Sequence, residues 1–375
     1  MGKGKVLITG GAGFIGSHTA DLLIAEGYEV HILDNLTEQI HDGCWPDYLD
    51  SRIEKIKGDV SRFEDLEKAL EGIDYVFHLA AYQDLLPNFS KFFSVNTVST
   101  ALLYELIVNR KFPIKKVVFA SSQFVYGEGH YQCSEHGLFH SGMRTIAHLD
   151  QGKWDVLCPH CQKKASPALL TEESFDPQNQ YSISKYTQEL IALTFGKRYQ
   201  IPTVGLRYSI VQGARQSFRN AYSGILRVFT LKMLKGEPPP VFEDGLQFRD
   251  YVNVLDVARA NVLVLQKKEA NWNVFNVGGG KAYTVLDFVS IVNQVLKTNI
   301  QPQITHRYRV GDTRHSISNI EKIRSLGWSP TRTPKNSVEA YVQWIQKQNL
   351  KKDYVAEAEN LMEKTGCIRK AVTPK

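Results

Sequence analysis

At 375 residues the chain has room for two domains, or one large composite one, at about 150 residues each. Its 43% hydrophobic and 22% charged residues are those of a globular protein with a sizeable core, which excludes a disordered chain. The net charge of +6 comes from Lys and Arg spread along the sequence, which argues against a nucleic-acid surface, and no apolar run approaches the roughly 20 residues of a membrane span.

The first predicted element is Val6-Leu7-Ile8-Thr9, a short apolar run that reads as a buried parallel strand. Gly10-Gly11-Ala12-Gly13-Phe14-Ile15-Gly16 follows it and opens a helix over residues 14–26. Further strands are predicted at 30–33, 53–56, 75–79, 117–120 and 203–206, with helices at 63–71 and 92–109 between them. Strand–helix alternation of this kind predicts an α/β fold, a Rossmann-type doubly wound parallel sheet.

Glycine after a strand lets the backbone turn tightly and approach a pyrophosphate, which rests on the free N–H groups of the following helix. Gly10, Gly13, Phe14, Ile15 and Gly16 are therefore predicted to cradle a dinucleotide. Asp34 ends the second strand, about twenty residues on, with Asn35 beside it; an acid there binds the adenosine ribose hydroxyls and repels a 2′-phosphate, favouring NAD over NADP. Asp59 and Val60 follow the third strand and are assigned to the adenine end. Leu79, Ala80 and Ala81 end the fourth strand, where the cofactor passes close by, while His78 reads as a packing histidine.

Between Tyr126 and Pro177 the rhythm breaks, and residues 128–172 read as an insertion rich in His, Cys, Gly and Pro. Cys133 and His136, then Cys158 and Cys161, form two knuckles with two residues between candidate ligands, a spacing suited to a structural zinc ion. His140, His148 and His160 are alternatives for the fourth position. Four protein ligands would leave no open position for catalysis. An odd cysteine count of five argues against a disulfide framework, and the start Met1-Gly2-Lys3-Gly4-Lys5 lacks a leader pattern, so the expected compartment is the cytoplasm.

Tyr181 and Lys185, four residues apart, share one face of a helix that starts after Pro177. A phenol near pKa about 10 is a poor base at neutral pH unless a neighbouring ammonium favours its phenolate. Ser122, at the end of the fifth strand, offers a hydroxyl where such a sheet places its chemistry. The dinucleotide-binding domain is drawn over residues 1–207 and a smaller substrate domain over 208–346, with helices at 223–235, 285–296 and 338–346 and segments returning to the first domain. Residues 347–375 read as an appended, partly ordered tail.

In this joint order the motifs resemble the extended short-chain dehydrogenase/reductase superfamily, specifically its nucleotide-sugar epimerases and dehydratases, over roughly residues 5–346. The resemblance implies tightly bound NAD and a nucleotide-diphosphate sugar as substrate. It makes Tyr181 the catalytic base, Lys185 its electrostatic partner and ribose ligand, and Ser122 a hydrogen-bonding hydroxyl. It also implies Asn96 behind the nicotinamide, and Arg249 and Arg309 on the substrate diphosphate. In the dehydratases an Asp-Glu pair follows the catalytic hydroxyl; here Gln123 and Phe124 stand there, which favours 4-epimerisation through a transient 4-keto sugar. Ile210 replaces an asparagine in Leu206-Arg207-Tyr208-Ser209-Ile210, with Asn220 a few residues on as a possible substitute.

The insertion resembles that of bacterial proteins similar to dTDP-L-rhamnose 4-epimerase, which puts a dTDP-deoxyhexose ahead of UDP-glucose or UDP-galactose. A dehydratase or reductase of the same superfamily is the alternative, and a non-catalytic NAD-binding sensor a distant one. Relatives pair through two helices, here about 91–109 and 180–199, whose Leu102, Leu103, Leu106, Ile107, Leu190, Ile191 and Leu193 suggest a homodimer.

Overall fold

The computed structural model describes residues 2–84, 86–220 and 223–372. Seven parallel strands form the central sheet: β1 (Lys5–Thr9), β2 (Glu29–Asp34), β3 (Glu54–Lys57), β4 (Tyr75–His78), β5 (Lys116–Ser122), β6 (Thr203–Tyr208) and β7 (Asn273–Val277). Their order is β7-β6-β5-β4-β1-β2-β3. Val6, Leu7 and Ile8 are fully buried because both faces of the sheet are covered. Val6 and Ile8 face a core shared with α1 (Phe14–Ala25), through Ala20 and Leu23. Leu7 points the other way, into a core with Leu66 of α2 (Phe63–Leu70), Leu103 of α3 (Ser99–Asn109) and Ala192 of α4 (Gln180–Arg198). The doubly wound α/β fold expected from the alternation is the one formed.

Chain order reverses between β1 and β4, which pair with Thr9 opposite His78. A crevice opens at such a switch point, beyond the carboxyl ends of the strands. The second half of the chain caps that crevice. Here α5 (Gly224–Leu234), α7 (Val285–Leu296) and α8 (Pro334–Ile345) share a core of Phe229, Phe288, Val292, Val338 and Tyr341. Between α5 and α7 the chain returns to the sheet as α6 (Val254–Gln266) and β7. Among the described residues no helix is long and apolar enough to cross a membrane.

Three elements differ from expectation. The helix predicted over 92–109 forms but is irregular: a helical turn at Phe89–Phe92 runs without a break into a π-helical stretch, Phe93–Val98, and on into α3. Asn96, buried in that stretch, exchanges hydrogen bonds with both backbone groups of Tyr82, so a tertiary contact outweighs the regular ladder. Strand β7 went unpredicted because Asn273 and Asn276 hide it; Asn276 is buried, with its amide donating to the carbonyls of Leu170 and Asn319. The segment after Lys347, expected as an appended, partly ordered tail, carries a helix and a paired strand. Helix α9 (Tyr354–Lys364) buries Tyr354, Val355, Ala358 and Met362, and strand Ile368–Lys370 pairs antiparallel with Arg307–Arg309. Its apolar residues recur at helical spacing, which gives it one face to bury.

Candidate active site

One cavity of about 1050 Å³ runs from the glycine loop after β1, past the ends of β4 and β5, to the second half of the chain. Gly10 has φ of +68°, and a Cβ there would meet the Ala80 Cα at 2.8 Å, so the loop and the chain after β4 are in contact only because residue 10 lacks a side chain. A Cβ on Gly16 would strike the Gly10 carbonyl. Helix α1 begins with no side-chain cap on Gly13, leaving its first N–H groups toward the cavity, the donor set a pyrophosphate requires. Asp34 lines the cavity too; one carboxylate oxygen accepts from Ala12 N–H at 3.1 Å and the other from Leu36 N–H at 3.0 Å. The glycine loop and the acid therefore hold each other.

Gly10, Gly13, Phe14, Ile15, Gly16, Asp34, Leu79, Ala80 and Ala81 all line this cavity. Asn35, Asp59, Val60 and Asn96 do not. Asn35 donates to Asp59 at 3.0 Å and Asp59 caps Ser61, so this pair shapes the loops beside Asp34. Asn96 lies one layer back, where its amide bonds Tyr82 and, at 2.9 Å, the Ser184 hydroxyl on α4. It clamps the loop after β4 to the helix that carries Tyr181. His78 is buried between Thr9 and Ser99, and burial pushes its pKa down to about 3, as a neutral packing residue requires.

Helix α4 starts at a reciprocal cap: Ser182 N–H donates to the Asn179 side chain at 2.8 Å, and Asn179 N–H to the Ser182 hydroxyl at 2.9 Å. The cap fixes Tyr181 in the first turn, where it is buried beside Ser122. Burial pushes the Tyr181 phenol up to about 12, with the Ser122 hydroxyl opposing. One turn on, burial pushes Lys185 down to about 7, with Glu189 opposing, and its ammonium donates to Gln188 at 2.7 Å. Two groups of high and low proton affinity thus share one buried face. Glu189 is itself held by Ser121 and by the Nε and Nη2 of the Arg207 guanidinium, which locks α4 against β5 and β6. Gln123 is tied to Ser316 at 2.9 Å, and the Phe124 ring meets the Tyr181 ring edge-on at 6.0 Å. Neither side chain transfers protons.

At the far end, Arg249 lines the cavity while its guanidinium donates to the carbonyls of Phe248 and Arg314 at 2.9 Å and Thr313 at 3.0 Å. Arg309 also reaches the cavity, stacked over Phe242 at 5.1 Å, and its Nε is buried without a hydrogen-bond partner among the described residues. Asn220 and Ile210 both line the wall.

The sequence profile of the "NAD dependent epimerase/dehydratase family" matches residues 6–141 and 159–278. The chain belongs to that family. It is 31% identical over 348 residues to the dTDP-L-rhamnose 4-epimerase of Burkholderia thailandensis, covering 91% of this chain and 94% of the relative. It is also 31% identical over 354 residues to a putative UDP-glucose 4-epimerase of Methanocaldococcus jannaschii, covering 92% and 99%. The crystal structure of a Thermus thermophilus UDP-glucose 4-epimerase in complex with NAD superposes with a TM-score of 0.73 at 26% identity, over 92% of this chain and all of that one. The expectation of an enzyme in the nucleotide-sugar epimerase branch of the short-chain dehydrogenase/reductase superfamily therefore holds for family and fold.

The profile skips residues 142–158, inside the insertion. There His130–Cys133 and Gly137–His140 form an antiparallel hairpin, with Ser166–Pro167 alongside. Ligand atoms of Cys133, His136, Cys158 and Cys161 all lie within 4.8 Å of one another. None of the four lines the cavity.

Several cavity residues escaped the sequence reading. Tyr48 donates to the Ala12 carbonyl at 2.7 Å over the glycine loop, and Arg215 stacks on its ring at 4.7 Å. Arg227, buried in α5, had a visible signal: it is the one charged residue in Ile225-Leu226-Arg227-Val228-Phe229. Glu359, Met362, Cys367 and Arg369 of the C-terminal segment close the far end, and nothing in their local pattern announces it.

Proposed function

We propose that the chain is a nucleotide-diphosphate-sugar 4-epimerase of the cytoplasm, acting through a transient 4-keto sugar. A dTDP-deoxyhexose such as dTDP-L-rhamnose is the first substrate, with UDP-glucose or UDP-galactose next. One observation carries this reading. Tyr181, beside Ser122 and followed one turn later by buried Lys185, stands in a cavity that continues from a glycine loop to two arginines, with no acid at positions 123 and 124. The 31% identity to the Burkholderia dTDP-L-rhamnose 4-epimerase supports the deoxyhexose; equal identity to the Methanocaldococcus relative supports the second choice.

The uncapped start of α1, the glycines and Asp34 fit NAD, with the carboxylate on the adenosine ribose and against a 2′-phosphate. When bound, NAD supplies a reversible hydride acceptor. Tyr181 accepts the proton of the sugar hydroxyl and returns it, and the Lys185 charge favours its phenolate. Ser122 steadies the sugar oxygen by a hydrogen bond. Gln123 and Phe124 offer no acid or base, so no water is eliminated. Arg249 and Arg309 hold the diphosphate, the buried Arg309 Nε having a donor to spare. Asn220 takes the role that Ile210 cannot. A cavity of about 1050 Å³ suits a dinucleotide and a sugar nucleotide together.

The reading includes a homodimer and one structural zinc ion outside the cavity. Leu103, Leu106 and Ile107 are buried in the subunit's own core, so the surplus apolar surface for pairing is Val98, Ile183 and Leu190, exposed on the two packed helical segments. The deciding experiment incubates the protein with a panel of dTDP- and UDP-sugars and reads products by chromatography and mass. An isomer of unchanged mass with NAD retained supports epimerisation; loss of water, or stoichiometric NADH release, refutes it.

A further inference from the structure

The insertion holds a donor set with the dimensions of a metal site, and its other end is bolted to the loop that seats Arg249. A tetrahedral zinc ion with sulfur at about 2.3 Å and nitrogen at about 2.0–2.1 Å keeps neighbouring donors about 3.5–3.8 Å apart. Cys133 Sγ lies 3.7 Å from Cys161 Sγ and 3.6 Å from His136 Nδ1, and Cys158 Sγ lies 3.6 Å from the same nitrogen. Gly137 and Gln162 each follow a knuckle with positive φ, +77° and +59°, which turns the chain back at once. The hairpin's own buried cluster is only Tyr131, Val156 and Ala165, too small to hold four ligands together. His160 stacks against His136 at 5.0 Å instead of joining the set.

From the two knuckles the contacts run toward the cavity. Tyr131, two residues before Cys133, donates to Glu128 at 2.7 Å. Asp155, three residues before Cys158, accepts from Arg314 at 3.1 Å, and the Trp154 carbonyl accepts from Arg144 at 3.2 Å. Arg144 pairs with Glu128 at 3.1 Å and Glu243 at 2.9 Å; Arg314 pairs with Glu243 at 2.8 Å and gives its N–H to Glu128 at 2.6 Å. All four side chains are buried, so none can drift without leaving a charge uncompensated. The carbonyls of Thr313 and Arg314, together with that of Phe248, fix the Arg249 guanidinium.

We propose that Cys133, His136, Cys158 and Cys161 bind one zinc ion, and that this ion sets the grip of Arg249 on the substrate diphosphate by holding the insertion's half of the buried ion network in place. The inference rests on the assignment of Arg249 to the diphosphate. Zinc acts here on affinity and takes no part in proton or hydride transfer. Arg144 is a positioning residue.

Elemental analysis of the protein purified without chelator finds about one zinc per chain, and Cys158→Ser loses it. Affinity for dTDP or UDP, read by calorimetry, falls about tenfold in that variant while bound NAD is retained. Stripping zinc from the wild type reproduces the loss and adding zinc back reverses it, a comparison that does not depend on the variant folding. Arg144→Met keeps its zinc and weakens the same nucleotide to a similar degree, with KM for the turned-over sugar nucleotide rising more than kcat falls. Zinc-free or iron-loaded wild type overturns the metal assignment. Unchanged nucleotide affinity after zinc loss, or in Arg144→Met, overturns the coupling. A wild type that carries zinc yet binds neither dTDP nor UDP overturns the diphosphate reading itself.

Discussion

Replacing Lys185 with methionine should make the protein more stable near neutrality while disabling it. Burial brings this lysine from its ordinary 10.5 down to about 7. At about 1.36 kcal/mol per pKa unit, keeping the group buried at pH 7.5 costs the fold about 4 kcal/mol. Methionine removes that cost but leaves the Gln188 carbonyl oxygen buried without its donor at 2.7 Å, a loss of about 1–3 kcal/mol. The balance is a gain of about 2 kcal/mol at pH 7.5. Between about pH 7 and 10.5 the unfolded chain binds a proton that the folded lysine does not, so wild-type stability rises with pH across that window. By pH 10 the cost has fallen below about 1 kcal/mol, and the variant becomes the less stable protein by about 1 kcal/mol. Urea unfolding of NAD-free wild type and variant at both pH values measures the difference without a contribution from cofactor binding. Turnover should fall by about 10²–10⁴. Equal destabilisation at both pH values would show that burial does not lower the proton affinity of Lys185.

Tyr181→Phe should lower kcat by about 10³ while NAD stays bound, since the ring still fills its place against Phe124; near-normal turnover removes Tyr181 from the mechanism. Asn96→Ala should destabilise the protein by about 2–3 kcal/mol in urea unfolding and loosen NAD, because the loop after β4 loses its clamp to α4; unchanged NAD retention would make the clamp irrelevant to the cofactor. Leu190→Glu puts a charge on a residue 51% exposed, so light scattering should turn a dimer into a monomer with little change in melting temperature; a wild type already monomeric at micromolar concentration ends the dimer reading.

Local spacing made much of this protein legible in its sequence. The glycine loop, Asp34, Ser122, Tyr181 and Lys185 each follow a strand or share a helix face, so a few neighbouring residues define both their geometry and their chemistry. All of them line one cavity. The same holds for the two knuckles of the insertion, whose ligands are close in sequence within each pair.

What the tertiary structure alone decided depends on contacts between distant segments. Asn96 is drawn out of the cavity by Tyr82 and by Ser184, 88 residues away, and its helix is deformed to allow it. Strand β7 is recognisable only once Leu170 and Asn319 satisfy the buried amide of Asn276. Arg309, a surface arginine by its local pattern, becomes a wall of the cavity because its strand pairs with residues Ile368–Lys370 and its side chain stacks on Phe242. A residue's neighbours in sequence fix its backbone and its face; which buried polar group finds a partner, and where, is settled only when remote parts of the chain meet.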